Sequence, residues 1–442
     1  MRKKRRRKHH KKRHYRKRYR LKISGIIIIV VFLAIIAGGT YFGITKYQAK
    51  KEKARQVTLK KDIQKHYHEF VITNKETKLY DNKHKEIGKL GQGVELTLED
   101  FDITYETIYF KIKDFEDTYV NYLDVDKVDK LTEYDKRYQK YIPFNNNVKT
   151  NDKVSFYDEN GNLVYTLNGS MDLPIIIKDD DKYGVEFKDR LLYIRKDDIK
   201  ETYEHKNTDK HNSNGVAVLN YHFVYDENDN KESSQCYEEI CISKAQFKRE
   251  LDYFNENNIW PIKMHELELY MDKKLQLPKS VLITFDDGGW TKHAVDLLGE
   301  YKMYATFFLV TSWYNPKDYY KNEYIEFHSH THNMHDGGKC PGGQGGAIKC
   351  LDKDKILDDL KKTREVLNGS TAFCYPFYEY NSYSEELLKE AGFTMAFIGE
   401  VRASYGPYKL AEPGGDKMKI PRFVVVNYTT IAELNRCFNE IK

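Results

Sequence analysis

The pattern of apolar and polar positions divides the chain into four stretches of different period. Residues 23 to 45 ("ISGIIIIVVFLAIIAGGTYFGIT") carry no charge, and at about 1.5 Å per residue an apolar helix of this length spans a bilayer. Residues 46 to 68 are polar, densely charged and free of Gly and Pro, which predicts a helical or solvated stalk. From 69 to 203 the apolar positions come in short alternating segments parted by turn residues such as "DENGN", the pattern of small all-β units. Beyond a polar linker at 201 to 214 the period changes again, to alternating strands and helices.

In that last stretch the predicted strands are "GVAVLNYHFV", "SVLITF", "YATFFLV", "EYIEF", "TAFCYPF", "TMAFIGE" and "IPRFVVVN". The helices between them are "SKAQFKRELDYFNENN", "TKHAVDLLGEYK", "KDKILDDLKKTREVLNG" and "SEELLKEAGF". Such alternation argues for an α/β class with a parallel, barrel-like sheet, and chemistry in such folds gathers at the C-terminal ends of the strands.

The all-β stretch contains an internal repeat. "TNKETKLYDNKHKEIGKL" from Thr73 aligns without a gap on "TNDKVSFYDENGNLVYTL" from Thr150, at an offset of 77 that matches Tyr80 with Tyr157, Asp81 with Asp158 and Leu90 with Leu167. The two copies, 69 to 130 and 146 to 203, resemble tandem bacterial SH3-like modules of cell-wall proteins. A spacer, or a reader of wall glycan or peptide, fits them equally.

Charge sharpens the first stretch. The formal net of +6 hides a basic tail: residues 1 to 22 hold fifteen Lys and Arg and no acid, and the remainder carries 58 basic against 67 acidic residues, a net of −9. Basic residues on one flank predict a single-pass anchor with the tail cytoplasmic and residues 46 to 442 outside. A cleaved signal peptide is the rival, but Ala34, Ala37 and Gly38 lie inside the apolar run rather than after it. Beside such a run the tail reads as an orientation signal that touches anionic lipid, not as a nucleic-acid arm. Six cysteines fit an oxidising exterior: Cys236 with Cys241 and Cys340 with Cys350 are close enough to staple loops, which leaves Cys374 and Cys437 as buried thiols. The spacings are not those of a CxxC zinc site.

Four features fall at predicted strand ends. "ITFDDGG" delivers Asp286 and Asp287 side by side; one carboxylate can hold a cation while the other acts as general base, although Asp-Asp-Gly also makes ordinary turns. "HSHTHNMH" offers His328, His330, His332 and His335, which composition alone marks only as a metal-binding hint. "NYHFVYD" sets His222 after a strand, where a lone His is more often structural. "FCYPFYEYN" ends a strand at Pro376 among Tyr375, Phe377, Tyr378 and Tyr380, suited to a sugar-binding wall or to packing.

Together "TFDDG", the histidine motif about forty residues on and "YPF" resemble the NodB-like polysaccharide deacetylases over residues 215 to 442. The resemblance implies a deformed (β/α) barrel and hydrolysis of N-acetyl groups from N-acetylglucosamine in peptidoglycan or poly-N-acetylglucosamine. Two departures stand out: Cys374 occupies the place of the usual Arg of the third motif, and no late His follows "IPRFVVVNYTT". Both are shared by a permuted branch that is similar to the poly-N-acetylglucosamine deacetylases, in which a "YH" after the first strand supplies the missing histidine. In that branch Asp286 is the base, His222 the acid, and Asp287 with His330 and His335 hold the metal. Tyr375, Pro376 and Phe377 line the substrate, with a backbone N–H near Tyr375 at the oxyanion. Arg422 stands in for the missing Arg by orienting Asp286. The commoner H-[S/T]-x-x-H spacing selects His328 and His332 instead.

Zinc is the first choice of metal, and two His with one carboxylate also suit iron, nickel or cobalt. The implied partners are a wall or matrix polysaccharide and the membrane. Rival readings are a wall-binding protein that retains the fold without catalysis, and an O-acetyl glycan esterase. The topology has its own test: protease added to intact cells digests residues 46 to 442 and spares the basic tail, and the reverse pattern overturns it.

Overall fold

The computed structural model describes residues 23–105, 107–207, 209, 211, 214–399 and 408–439, with side chains from Gly38 onward. The basic tail therefore lies outside the described residues, as do the side chains of 23–37 in the apolar run. A single helix runs Ile23–His66, so the expected stalk continues the apolar run without a break. Among the described residues no helix is long and apolar enough to cross a membrane.

Contacts divide the chain into two units. The first contains this helix and an antiparallel sheet of Phe70–Thr73, Glu95–Ile103, Ile108–Ile112, Tyr119–Asn121 and Val125–Lys127. Alternate positions Ile108, Phe110 and Ile112 are fully buried in its core, as a half-covered strand requires. The helix is not wholly solvated: Leu59 is buried, and the ring of Tyr67 just beyond it packs edge-on against Phe101 and Phe110.

Residues 76–79, 85–94 and 132–442 form the second unit. Its β part is organised by the repeat. Glu86–Leu90 pairs antiparallel with Leu163–Asn168, Gly88 opposite Leu167 and Leu90 opposite Tyr165. The repeat offset carries 88 to 165 and 90 to 167, so exchanging the copies maps the pairing onto itself, a local two-fold contact of the kind that joins identical subunits. Glu86–Leu90 of the first copy thus adds a strand to the sheet of the second.

The remaining residues build the α/β domain. Its sheet runs Met395–Phe397, Ala372–Cys374, Ile325–Ser329, Ala305–Leu309, Ser280–Phe285, Ala217–Tyr221, Phe423–Val424, with every pairing parallel. One short segment reaches both edges: Ile420 bridges Phe397, and Phe423–Val424 pairs with Leu219 and Asn220. This curls the sheet into a deformed barrel. The two-residue period then sorts side chains. Leu219, Tyr221, Ile283, Phe285 and Phe307 face an outer layer of helices Lys244–Glu256, Lys292–Tyr301 and Ile431–Asn439, whereas Val218, Leu282, Phe308 and Cys374 face inward with helix Met264–Met271. Both expected disulfides are formed, and Cys374 and Cys437 are buried and free.

One acid in the outer layer is out of place by charge. Glu250 is 1 % exposed and accepts from Tyr221 Oη (2.8 Å) and Gln246 Nε2 (3.0 Å). Burial raises its pKa to about 7, against the opposing pull of these hydrogen bonds. A carboxyl whose folded pKa exceeds its unfolded value binds its proton more tightly in the native state. Its contribution therefore favours the fold at low pH and is withdrawn as pH climbs from about 4.5 to about 7, a loss of about 3 kcal/mol. Denaturant unfolding of residues 69–442 tests this: relative to Glu250→Gln, the native protein loses about 3 kcal/mol between pH 4.5 and 7.5, and a pH-independent difference refutes it.

A candidate metal and acid–base site at the barrel mouth

The site forms where three central strands end. Asp286 extends the pairing of Ser280–Phe285 by one hydrogen bond, its N–H donating to Tyr221 O (2.9 Å). The chain then turns sharply, with Asp287 at φ +68° and Gly288 at φ +97°. A Cβ on Gly288 would lie 2.8 Å from the Tyr314 ring and 2.9 Å from Leu309, so both conformation and space require glycine here.

This turn sends the two carboxylates to different partners. Asp286, 1 % exposed, accepts from Arg422 Nη1 on Oδ1 (2.7 Å) and from Arg422 Nη2 (2.8 Å) and Asn220 Nδ2 (3.1 Å) on Oδ2. Burial alone would raise its pKa, but the Arg422 guanidinium, with His330 and His222, holds it below the usual carboxylate range. Asp286 is therefore an anion at any working pH, and Oδ1 retains acceptor capacity.

Asp287 faces two imidazoles. Its Oδ1 lies 3.3 Å from His330 Nε2 and 3.2 Å from His335 Nε2, and these three residues can offer one ligand atom each within a small sphere. His330 Nδ1 is 2.9 Å from the carbonyl of Cys374; a carbonyl only accepts, so Nδ1 carries the hydrogen and Nε2 faces Asp287. One carboxylate and two oriented imidazoles fit a divalent cation with open positions. Asp286, His330 and Cys374 also lie close together, but there Arg422 Nη2 sits 2.9 Å from Sγ, so the positive charge is already the guanidinium. Of the other two histidines, His328 Nδ1 meets Ser370 Oγ (2.8 Å) and His332 Nδ1 meets Thr311 Oγ1 (3.0 Å). Neither joins Asp287.

His222 is 9 % exposed, and among the described residues its buried Nδ1 has no hydrogen-bond partner. Burial lowers its pKa, partly offset by Asp286 and Asp287. For Asp287, burial is outweighed by His330 and the pKa is lowered. Burial opposes a charge on His330, but Cys374 and the two carboxylates overturn that and raise its pKa, while burial and the His330 charge lower that of His335.

The third motif needs correction. Tyr375, expected at the substrate wall, is fully buried and packs outward with Phe373, Leu387 and Leu388. The strand period dictates this, because Cys374 takes the inward position. Its N–H donates to Phe397 O (3.2 Å) and is not available to an oxyanion. Pro376 is buried beside it. Phe377 does line the site, its ring 4.6 Å from that of His335.

Asn220 escaped the sequence reading, and Tyr378 entered it only among the aromatics suited to a sugar-binding wall or to packing. Asn220 Nδ2 bridges Asp286 and Tyr378 Oη (3.0 Å), and Phe377 and Tyr378 are both left-handed, at φ +56° and +59°, which turns Tyr378 toward Asn220. The signal for Asn220 was its two-residue spacing from His222. Nothing marked Tyr378 as the partner of Asn220, since its direction depends on that kink. Exposed Trp313 adds a further aromatic wall, 5.3 Å from His335.

Comparison with known proteins follows the same half of the chain. Residues 273–396 match the family described as Polysaccharide deacetylase. The chain carries a polysaccharide deacetylase domain. Over 248 residues it is 26 % identical to the poly-beta-1,6-N-acetyl-D-glucosamine N-deacetylase of Staphylococcus aureus, spanning 49 % of this chain and 80 % of that protein. Among solved structures, the de-N-acetylase of Aggregatibacter actinomycetemcomitans is 20 % identical with a TM-score of 0.42, covering 50 % of this chain and 99 % of that one. IcaB of Ammonifex degensii is 21 % identical with a TM-score of 0.41, covering 51 % and 96 %.

The ligand set of the deacetylase domain is open to direct measurement. After dialysis against zinc, His330→Ala and His335→Ala lose metal affinity by more than roughly 100-fold, beyond the loss typical of outer partners. His328→Ala keeps its metal, and metal loss in His328→Ala and His332→Ala instead selects the other register.

Proposed function

We propose that this protein is a membrane-anchored, extracellular, divalent-metal-dependent deacetylase that hydrolyses N-acetyl groups of N-acetylglucosamine in a cell-surface polysaccharide. The carrying observation is the division of labour between adjacent carboxylates, Asp286 on Arg422 and Asp287 on His330 and His335. Asp287, His330 and His335 would hold the cation, which would supply Lewis acidity at the acetyl carbonyl. Asp286, fixed as an anion by Arg422, takes the proton of the attacking water. His222 gives a proton to the departing amine, which leaves poorly without one; among the described residues its buried Nδ1 lacks a partner. Phe377 and Trp313 bound the entrance at which a pyranose ring would lie.

The name of the Staphylococcus aureus relative favours poly-N-acetylglucosamine over peptidoglycan. The uncharged run at 23 to 45 supports the anchor, and the tandem β repeats, read as SH3-like modules, hold the catalytic half near the wall.

Acetate release from both polymers by residues 69–442 tests the reading. Activity returns to chelated protein with added metal, and Asp286→Asn lowers kcat by roughly 10²–10⁴. Release from O-acetyl esters alone would show an esterase, and release from neither class would leave a binding protein.

A further inference from the structure

At the other end of the barrel, the second β repeat and helix Met264–Met271 enclose a cavity of about 400 Å³. Trp260 and Pro261, which lead into that helix, pair with Ser280 and Val281, the first residues of the strand that ends at Asp286. At 3.3 Å per residue the cavity's floor is about 17 Å from the catalytic carboxylate.

Four tyrosines line the cavity, Tyr134, Tyr138, Tyr141 and Tyr193. Two ion pairs are closed within its wall, and Asp158, Glu159 and Arg190 line it as well. Arg137 makes a two-point contact with Glu266, Nε to Oε1 (2.9 Å) and Nη2 to Oε2 (2.5 Å), and Tyr141 Oη donates to the same carboxylate (2.7 Å). Arg190 lies over the Tyr134 ring at 3.8 Å, and Lys263 pairs with Asp135 at 3.1 Å. Aromatic faces beside polar groups that hold one another in place suit a ligand that has apolar C–H faces and carries many hydroxyls.

We propose that this cavity is a second saccharide-binding site, which takes a neutral N-acetylhexosamine segment of the polymer that the catalytic mouth deacetylates. The choice of sugar rests on the deacetylase reading; the aromatic and polar lining does not. Two sites on one polymer raise the local concentration of substrate at the mouth without any new catalytic contact.

Calorimetry on the full chain in detergent, with metal removed by chelator and with a β-1,6-linked N-acetylglucosamine trimer as probe, tests the proposal. The trimer binds, and Tyr193→Ala and Tyr134→Ala each weaken it tenfold or more. Tyr134 is 38 % exposed, so its variant separates loss of binding from loss of folding. Absence of trimer binding, or equal affinity in both variants, overturns the proposal. Trimer binding that depends on Tyr193 and Tyr134 in a protein that releases no acetate upholds the cavity and sinks the catalytic reading. Acetate release without such binding does the reverse.

Discussion

The deacetylase half depends on one buried ion pair. Arg422 is fully buried and Asp286 nearly so, and removing two such charges from water costs several kcal/mol per ion. The cost is met only by a complete set of partners. Beyond Asp286, Arg422 reaches Thr284 Oγ1 (3.3 Å), Cys374 Sγ (2.9 Å) and Ile398 O (3.2 Å). These partners stand on separate strands, while Arg422 itself belongs to the segment that closes the barrel. Closing the sheet and fixing the Asp286 carboxylate are therefore the same event.

The pair also explains why adjacent aspartates do different work. With Arg422 on the inner side, a second cation beside Asp286 would be repelled, so the atoms that could hold a metal lie on the outer side, around Asp287. The left-handed turn at Asp287 makes that separation. Cys374, in the place of the family's usual Arg, keeps a small side chain where the guanidinium from residue 422 must enter.

Much of this was legible in the sequence. The strand-helix alternation and both disulfide pairs follow from period and spacing, while the choice of His222, His330 and His335 came from the resemblance to the deacetylases. What was missed has physical reasons. Helix Met264–Met271 starts at Lys263, with Glu266 accepting from the Lys263 N–H (2.7 Å); no Ser, Thr, Asp or Asn announces it. The Ile431–Asn439 helix was missed as well, although Thr430 and Glu433, which form a reciprocal cap, were a signal for it. Tyr375 was misplaced by reading a motif without the strand period. The pairing between repeats was invisible, since similarity at an offset of 77 says that two segments fold alike, not that they bond to each other.

Strain marks the site as a preorganised one. Asp287, Thr331, Phe377 and Tyr378 all hold left-handed backbones, a conformation that costs a non-glycine residue of order 1–3 kcal/mol. Each is held by partners on a neighbouring element. Thr331 O accepts from the Thr311 N–H (3.1 Å), and Asp359 caps the N–H groups of His332 and Asn333 (2.7 Å each). Tyr378 Oη accepts from Asn220. The folding energy of the barrel is thus spent on turns that aim His330, Asp287 and Tyr378 before any substrate arrives. A relaxed mouth would gain stability from those same turns, but its carboxylates would share one set of partners and lose the separation of roles that the chemistry requires.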